Sequence, residues 1–164
     1  MKYNIEDNYL DEEYFKSLQD LVFGNQLQWY FQNTVAFKEE KQCLDNYYFY
    51  HSLYNHFTIQ SDIYNMFVPI LEKLNVRAIK NIRLNLYPRT PKLFKHNLHT
   101  DQDFQLKSAL LYLNTCDGYT YLKDQDKKVQ SVANRILHFN SFNEHHSTTT
   151  TDQNVRITLN INYF

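Results

Sequence analysis

Apolar side chains recur at helical spacing in two stretches of the N-terminal half of the chain. The first stretch predicts a helix over residues 11–22, with Gly24 placed to cap its end. The second follows Ser61, a suitable N-cap residue, and continues to Leu74. Pro69 lies inside this second pattern. Because proline donates no amide hydrogen and its ring clashes with the preceding turn, Pro69 marks either a late start of the helix or a bend in it.

The segments between these two helices are less regular. Residues 26–36 alternate weakly between apolar and polar side chains and predict a strand. Residues 47–51 fit either a strand or a loop. Two histidines of this region, His51 and His56, have no acidic residue at a useful spacing, so we interpret both as packing or surface residues.

From residue 77 onward the pattern changes to short alternating segments. Residues 78–87 predict a strand with one apolar and one polar face, and Pro88 ends it. The pair Asp117-Gly118 predicts a tight reversal, because glycine accepts a positive φ. Short strands at this spacing are typical of a barrel or jelly roll. Further strands are predicted over residues 106–114, 119–122, 129–133, 135–139 and 155–162.

The last predicted strand has a polar face that carries Arg156, Thr158, Asn160 and Asn162, because these residues alternate with apolar ones. A planar guanidinium can donate two parallel hydrogen bonds to a carboxylate, and Thr158 could donate a third. By itself, this pattern is better explained by an edge strand with a solvated face.

One histidine–acid pair suggests a metal site. His99 and Asp101 are two residues apart, so both side chains leave the same face of an extended strand. They could supply two of the three ligands of a 2-His-1-carboxylate site, which leaves positions open on iron(II). His96 lacks an acid at the same spacing. With seven histidines and 18 acidic residues, about one such pair is expected by chance, so the pair gains weight from His145 and Arg156 downstream.

In this order, His99, Asp101, His145, Arg156 and Thr158 resemble the motif of the iron(II)- and 2-oxoglutarate-dependent dioxygenases, in particular the compact prolyl-4-hydroxylase-like branch. The resemblance is strong over the C-terminal half and covers the N-terminal half only in its general layout. It implies a mainly β (α+β) fold, with a double-stranded β-helix core of the jelly-roll, cupin-like type and N-terminal helices packed on one side.

The resemblance also implies a domain organisation. Residues 1–164 form a single oxygenase domain, in which residues 1–76 support a catalytic β-core over residues 77–164. The polar face of the strand over residues 78–87 then looks into the barrel, and its apolar face packs on the helices.

The function implied by the resemblance is hydroxylation of a substrate C–H bond, in a prolyl or other protein side chain, coupled to decarboxylation of 2-oxoglutarate to succinate. The cofactors implied are iron(II), 2-oxoglutarate as co-substrate and O2, and ascorbate is a further candidate. The substrate class includes small molecules as well as proteins and peptides, because fold analogy is a weak guide to the substrate. The resemblance assigns three catalytic metal ligands, His99, Asp101 and His145, and four co-substrate residues, Arg156, Thr158, Tyr112 and Tyr87.

The distal histidine is ambiguous because His145 and His146 are adjacent, and an extended chain sends them to opposite sides. Similar sequences usually place the ligand about six residues after the phenylalanine of the preceding strand, here Phe139, which favours His145. A count of ten residues back from Arg156 favours His146 instead. Ser147 replaces a glycine that commonly stands two residues after the ligand.

Composition narrows the function classes. The chain has 164 residues, enough for one domain with a buried core. Its two cysteines, Cys43 and Cys116, are too few for a disulfide framework or a zinc finger. A net charge of −1, evenly dispersed, argues against a nucleic-acid partner. No segment has the length and hydropathy of a signal peptide or a membrane span, so we expect a cytoplasmic protein without a membrane partner.

Two other functions fit the same residues. One is a non-catalytic jelly-roll module that binds a metal without turning over 2-oxoglutarate. The other is a zinc hydrolase in which Glu144 acts as general base, but this leaves Arg156 and Thr158 without a function. We rank the oxygenase first, the inert module second and the hydrolase third.

Overall fold

The computed structural model describes residues 3–35 and 46–164 of the chain. Cys43 and the end of the strand predicted over residues 26–36 lie outside the described residues. The helices are α1 (Glu12–Phe23) and α2 (Val68–Lys73). The strands are β1 (Asn4–Glu6), β2 (Tyr30–Gln32), β3 (Tyr48–Asn55), β4 (Thr58–Ile59), β5 (Ile79–Pro88), β6 (Lys107–Tyr112), β7 (Tyr119–Leu122), β8 (Lys127–Gln130), β9 (Arg135–Asn140), β10 (His145–Ser147) and β11 (Val155–Tyr163).

Helix α1 confirms the first predicted helix and the position of Gly24 at its C-cap. The Asp11 carboxylate caps the start by accepting hydrogen bonds from two backbone amides of the first turn. Gly24 is the C-cap residue and is extended, with φ −69° and ψ 172°, rather than left-handed. Glycine is needed there for space, because a Cβ on Gly24 would lie 2.8 Å from the carbonyl oxygen of Asp20.

Helix α2 starts late, as the position of Pro69 suggested. Residues Tyr64–Phe67 form a single 3₁₀ turn, and the α-helix begins only at Val68, so Pro69 stands in its first turn, where no amide donor is required. Ser61 is therefore not the N-cap of α2. Its hydroxyl accepts a hydrogen bond from the amide of Ile63 at 3.4 Å, ahead of the 3₁₀ turn.

Strand β11 lies near the centre of a large antiparallel sheet with the order β1-β9-β6-β11-β5-β3-β2, and β4 pairs with β3. The ambiguous segment over residues 47–51 is therefore part of a strand, β3. The strand predicted over residues 26–36 was too long, because within the described residues only Tyr30–Gln32 pair, at the edge of the sheet.

A second sheet has the order β10-β7-β8. The extended chain that follows β5 lies beside β10 and makes isolated bridges to it and to the segment after it, which join Arg89 to Thr150, Lys95 to Thr148 and His99 to His145. The two sheets enclose a lumen, as the expected jelly roll requires. The fold class is thus confirmed: a mainly β fold with a jelly-roll core.

The main hydrophobic core lies between the large sheet and the two helices, not inside the barrel. Leu18 of α1 and Ile70 of α2 are fully buried against Ile82 and Leu84 of β5. Full burial of such a side chain contributes about 1.5–3 kcal/mol. The opposite face of β5 carries Asn85 and other polar residues into the lumen, so the inversion of the polar face implied by the resemblance is observed.

No helix among the described residues is long and apolar enough to span a membrane.

Candidate metal and co-substrate site

His99, Asp101 and His145 come together at one wall of the lumen. One ligand atom from each lies within 4.8 Å of the other two. The Oδ1 atom of Asp101 is 3.8 Å from Nε2 of His99 and 3.5 Å from Nε2 of His145. Two imidazole nitrogens and one carboxylate oxygen at this spacing suit a transition metal such as iron(II).

Backbone pairing explains why two histidines that are far apart in sequence meet. His99 lies directly opposite His145, and each backbone amide donates a hydrogen bond to the other residue's carbonyl oxygen at 2.9 Å. Directly opposite residues on antiparallel strands project to the same face of the sheet. The two rings are accordingly 4.4 Å apart between centroids.

Each ligand histidine is oriented by the carbonyl oxygen two residues before it. Nδ1 of His99 lies 3.2 Å from the carbonyl oxygen of Asn97, and Nδ1 of His145 lies 2.9 Å from that of Asn143. A carbonyl oxygen can only accept, so Nδ1 carries the proton in both rings. The lone pair of Nε2 is then left to face Asp101, which is the arrangement that metal-binding histidines use.

The charges of these groups suit metal binding. Burial raises the pKa of Asp101, but the His145 and His99 imidazoles and the Asn160 amide outweigh it and hold that pKa well below its ordinary value. Burial, and then the neighbouring His145, lower the pKa of His99 to about 4. Burial also lowers the pKa of His145, but the Asp101 carboxylate raises it by more. At neutral pH, Asp101 is ionised and His99 is neutral, the forms in which both bind metals.

Of the two adjacent histidines, only His145 lies beside His99 and Asp101. The ring of His146 points to the other side of β10, where it contacts the rings of Tyr119 and Tyr121 at 5.9 and 5.1 Å between centroids. The opposite directions follow from the alternation of side chains along a strand.

His96 is buried outside the metal-ligand group. Its Nδ1 lies 2.8 Å from the hydroxyl of Ser147, and burial lowers its pKa to about 3. Its ring lies 5.2 Å from that of Tyr87. The interpretation of His51 as a packing residue agrees with its contacts, since its two ring nitrogens lie 2.8 Å from the Gln28 carbonyl and 2.7 Å from the Ser61 hydroxyl.

Asn160 is a site residue that sequence analysis placed on the correct face without a partner. Its side-chain amide donates a hydrogen bond to Oδ2 of Asp101 at 3.1 Å, while Oδ1 of Asp101 faces the histidines. The signal was the shared polar face of β11, but the partner lies 59 residues away along the chain. Residues that orient metal ligands in this way tune metal affinity.

Arg156 is fully buried in the wall of the same lumen. Its Nη1 donates to the carbonyl oxygen of Thr148 at 3.2 Å, and its Nη2 donates to the hydroxyl of Thr120 at 3.0 Å. Its Nε is buried without a hydrogen-bond acceptor. Within the described part of the chain no carboxylate forms an ion pair with Arg156. A buried cation without a counter-ion is costly, so this arrangement favours an anionic ligand.

The lumen contains a cavity of about 340 Å³ that His99, Asp101 and His145 share with Arg156. The predicted co-substrate residues Thr158 and Tyr87 also line it. The Tyr87 ring centroid lies 5.3 Å from Cζ of Arg156, so the aromatic face covers the guanidinium.

Tyr112, the fourth predicted co-substrate residue, has a different environment. It is fully buried, with its ring centroid 5.5 Å from Cζ of Arg156, and it does not line the cavity. Burial raises the pKa of its hydroxyl, although the Arg156 charge opposes this. Tyr112 thus packs against the Arg156 guanidinium outside the cavity. Its contact with the co-substrate stays a prediction.

Gly118 does not form the positive-φ reversal that the Asp117-Gly118 pair predicted. Neither described glycine has a positive φ. Gly118 is buried against the Arg156 side chain instead, so the expectation was wrong about the reason for the glycine.

Glu144, the general base of the hydrolase alternative, lies apart from the ligands. Its carboxylate binds the ammonium group of Lys123, and both side chains are nearly half exposed. This position gives no support to a hydrolase.

No protein-family model matches the sequence, and no curated protein matches it. Solved structures do match the fold. A viral collagen prolyl hydroxylase from Paramecium bursaria Chlorella virus 1, solved with 2-oxoglutarate, has a TM-score of 0.67 at 11% identity, covering 99% of this chain and 95% of that one. This chain has the same fold as that prolyl hydroxylase.

Two further prolyl hydroxylases show the same likeness. One from Pseudomonas putida has a TM-score of 0.60 at 17% identity, covering 98% of this chain and 91% of that one. One from Trichoplax adhaerens, solved with a peptide fragment of the hypoxia-inducible factor, has a TM-score of 0.69 at 13% identity, covering 99% and 83%. At these identities the likeness concerns the fold.

Proposed function

We propose that the protein is an iron(II)- and 2-oxoglutarate-dependent dioxygenase, with residues 1–164 acting as one domain. The observation that carries this proposal is the position of Arg156, a buried cation without a carboxylate partner among the described residues. It lines the same cavity as His99, Asp101 and His145. A metal module that binds no anionic co-substrate has no need for this costly arrangement.

His99, Asp101 and His145 would hold the iron, because they offer two imidazole nitrogens and one carboxylate oxygen and leave further coordination positions open. Bound iron(II) would supply the chemistry by which O2 oxidises both partners, one oxygen atom going to the succinate formed as 2-oxoglutarate loses carbon dioxide and the other entering a substrate C–H bond. Asn160 keeps the Asp101 carboxylate in place through its hydrogen bond.

Arg156 would bind the carboxylate of 2-oxoglutarate that lies away from the metal. Its Nη atoms are held by Thr148 and Thr120, so the guanidinium is fixed before the co-substrate arrives. Thr158 lines the cavity two residues along the same strand and would donate a further hydrogen bond. Tyr87 covers the guanidinium and limits its access to water.

For the substrate we propose a prolyl or other protein side chain. Support comes from the matched structures, one of which is a collagen prolyl hydroxylase and another of which holds a peptide. The cavity of about 340 Å³ is large enough to take a side chain in addition to a five-carbon diacid.

The test is anaerobic titration of the metal-free protein with iron(II) and then with 2-oxoglutarate, followed by the weak visible charge-transfer band of the chelate. We expect the band in the wild type. In Arg156→Gln the dissociation constant for 2-oxoglutarate should rise roughly thirtyfold or more, because a buried hydrogen-bonded ion pair is lost.

Arg77→Gln is the matched control, because Arg77 is exposed and does not line the cavity. It should bind 2-oxoglutarate as the wild type does. A folded, iron-loaded wild-type protein that gives no band would overturn the oxygenase proposal in favour of the non-catalytic metal-binding module.

A further inference from the structure

A second arginine lines the site cavity. Arg83 of β5 stands four residues before Tyr87 on the same face of the strand, roughly 13 Å away along it. In the register of the sheet, Arg83 pairs with Asn160, the residue whose amide binds Asp101, whereas Tyr87 pairs with Arg156. Arg83 therefore lies on the metal-ligand side of the cavity, opposite the proposed co-substrate anchor.

The Arg83 guanidinium has aromatic neighbours but no acidic one among the residues described. Its Cζ lies 5.5 Å from the ring centroid of Tyr48 and 5.9 Å from that of Tyr50. Its Nε is buried without a hydrogen-bond acceptor among the described residues. The two tyrosine rings hold the cation in place, and its Nε has no acceptor in the part of the chain that is described.

The cavity around Arg83 has little negative charge of its own. Among the described lining residues Asp101 is the only acid, and its charge would be taken by the metal. Gln32, Thr34 and Tyr48 line the cavity as neutral polar groups. An anion that enters from this side would meet a cation and hydrogen-bonding groups, and among the described residues the only acidic side chain on the cavity wall is the metal-binding Asp101.

The co-substrate does not account for Arg83. A five-carbon diacid that is held between Arg156 and the metal ligands spans only the part of the cavity between them. Arg83 pairs with the strand position four residues beyond Arg156, at the metal-ligand end of that span and away from the Arg156 anchor. Its charge is thus available to the molecule that is oxidised.

We propose that Arg83 binds a carboxylate of the substrate, so that the enzyme selects an acidic substrate. This inference rests on the proposed function and adds to it a specificity-determining residue. The carboxylate could belong to an acidic residue of a peptide or to a free amino acid. The two sources offer the same chemistry to a guanidinium, and the experiment separates them.

The experiment measures binding of paired probes, by anaerobic calorimetry, to the protein loaded with iron(II) and 2-oxoglutarate. One set consists of end-blocked pentapeptides with a central proline and either Glu or Gln at one of the other positions. The other set consists of free amino acids and their carboxamides. The acid should bind about ten- to a hundredfold more tightly than the amide in at least one pair, as a charge-assisted hydrogen bond predicts.

Three variants test whether Arg83 causes the preference for the acid. Arg83→Gln should reduce it to about twofold or less, Arg83→Lys should keep part of it because the charge remains, and Arg77→Gln should leave it unchanged. A preference in the peptide set identifies a peptide substrate, and one in the amino-acid set identifies a small molecule. The inference is overturned if no pair prefers the acid, or if the preference survives Arg83→Gln.

Failure of this inference is distinct from failure of the proposed function. Arg83→Gln should give the same 2-oxoglutarate charge-transfer band as the wild type. Loss of that band in Arg83→Gln would place Arg83 in the co-substrate site and overturn the inference while the oxygenase stands. If the wild type gives no band, the oxygenase proposal fails. The probes can then be measured on the protein without iron and 2-oxoglutarate. A preference for the acid that is lost in Arg83→Gln would still establish the anion site.

Discussion

Gly118 lies directly against the Arg156 side chain. A Cβ on Gly118 would stand 2.6 Å from Cδ of Arg156 and 2.6 Å from the carbonyl oxygen of Thr149. Both distances are far shorter than a van der Waals contact. Gly118→Ala should therefore displace the guanidinium, destabilise the fold by about 1–3 kcal/mol and weaken 2-oxoglutarate binding at least tenfold. Denaturant unfolding and the charge-transfer titration measure the two effects.

Gly24→Ala separates stability from function in this experiment. Its Cβ would also be too close to backbone, at 2.8 Å from the Asp20 carbonyl oxygen, but at the end of α1 and outside the cavity. It should lower stability by a similar amount and leave the affinity for 2-oxoglutarate unchanged. Equal affinity in Gly118→Ala and the wild type would contradict the proposed contact between glycine and guanidinium.

The adjacent histidines of β10 should differ in their effect on metal binding. His145 lies with His99 and Asp101, whereas His146 packs against tyrosine rings on the other side of the strand. We expect His145→Gln to lower iron(II) affinity by a hundredfold or more, since one of three ligands is lost. His146→Gln should change it by less than about threefold. Competition with a colorimetric chelator gives both values, and a larger effect at His146 would reverse the assignment.

Asn160 should tune the metal site without contacting the metal. Asn160→Ala removes the hydrogen bond to Oδ2 of Asp101, and the loss of such a partner typically costs ten- to a hundredfold in metal affinity. Asn162→Ala is the matched control, because Asn162 is also buried on the same face of β11 but bonds to Ser108 and Asn81. Equal metal affinities of the two variants would show that Asn160 has only a packing function.

The sequence predicted the polar face of β11 and the His-x-Asp pair because both depend on a two-residue period, which any extended strand imposes. It did not predict that Asn160 binds Asp101, since strand pairing between distant segments decides that contact. The choice between His145 and His146 also depends on the pairing of distant segments. Residue counting gave two answers, and the direct pairing of His99 with His145 selects one of them for the ligand group.

The two glycines show a different limit of sequence analysis. Gly118 was assigned to a reversal because glycine accepts a positive φ, and Gly24 was assigned to the end of a helix, but neither has a positive φ. Each stands where another group approaches too closely for a Cβ. Close approach depends on tertiary packing, so a single sequence cannot separate it from a turn.

The carboxylate of Asp117, the residue before Gly118, joins its loop to the segment that follows β10. The Asp117 carboxylate accepts hydrogen bonds from the Thr150 hydroxyl at 2.9 Å and from the amide and hydroxyl of Thr151. Burial raises the pKa of Asp117, but these hydrogen bonds outweigh it, so the pKa lies below its ordinary value of 3.8. A carboxyl group with a lowered pKa in the folded state stabilises the protein above its unfolded pKa, and this stabilisation is lost as pH falls towards the folded pKa.

Asp117→Asn should therefore cost about 1 kcal/mol of unfolding free energy at pH 7, because part-buried donors lose a charged acceptor that is itself partly screened by solvent. The gap between wild type and variant should narrow as pH falls below about 4, where the Asp117 carboxyl of the unfolded wild-type chain takes up its proton before that of the folded protein does. Denaturant unfolding at a series of pH values measures the difference in unfolding free energy between wild type and variant. Asp124 is exposed, so Asp124→Asn is the control and should show almost no difference. A gap that stays constant from pH 7 to pH 3 would show that Asp117 contributes through packing, and not through its charge.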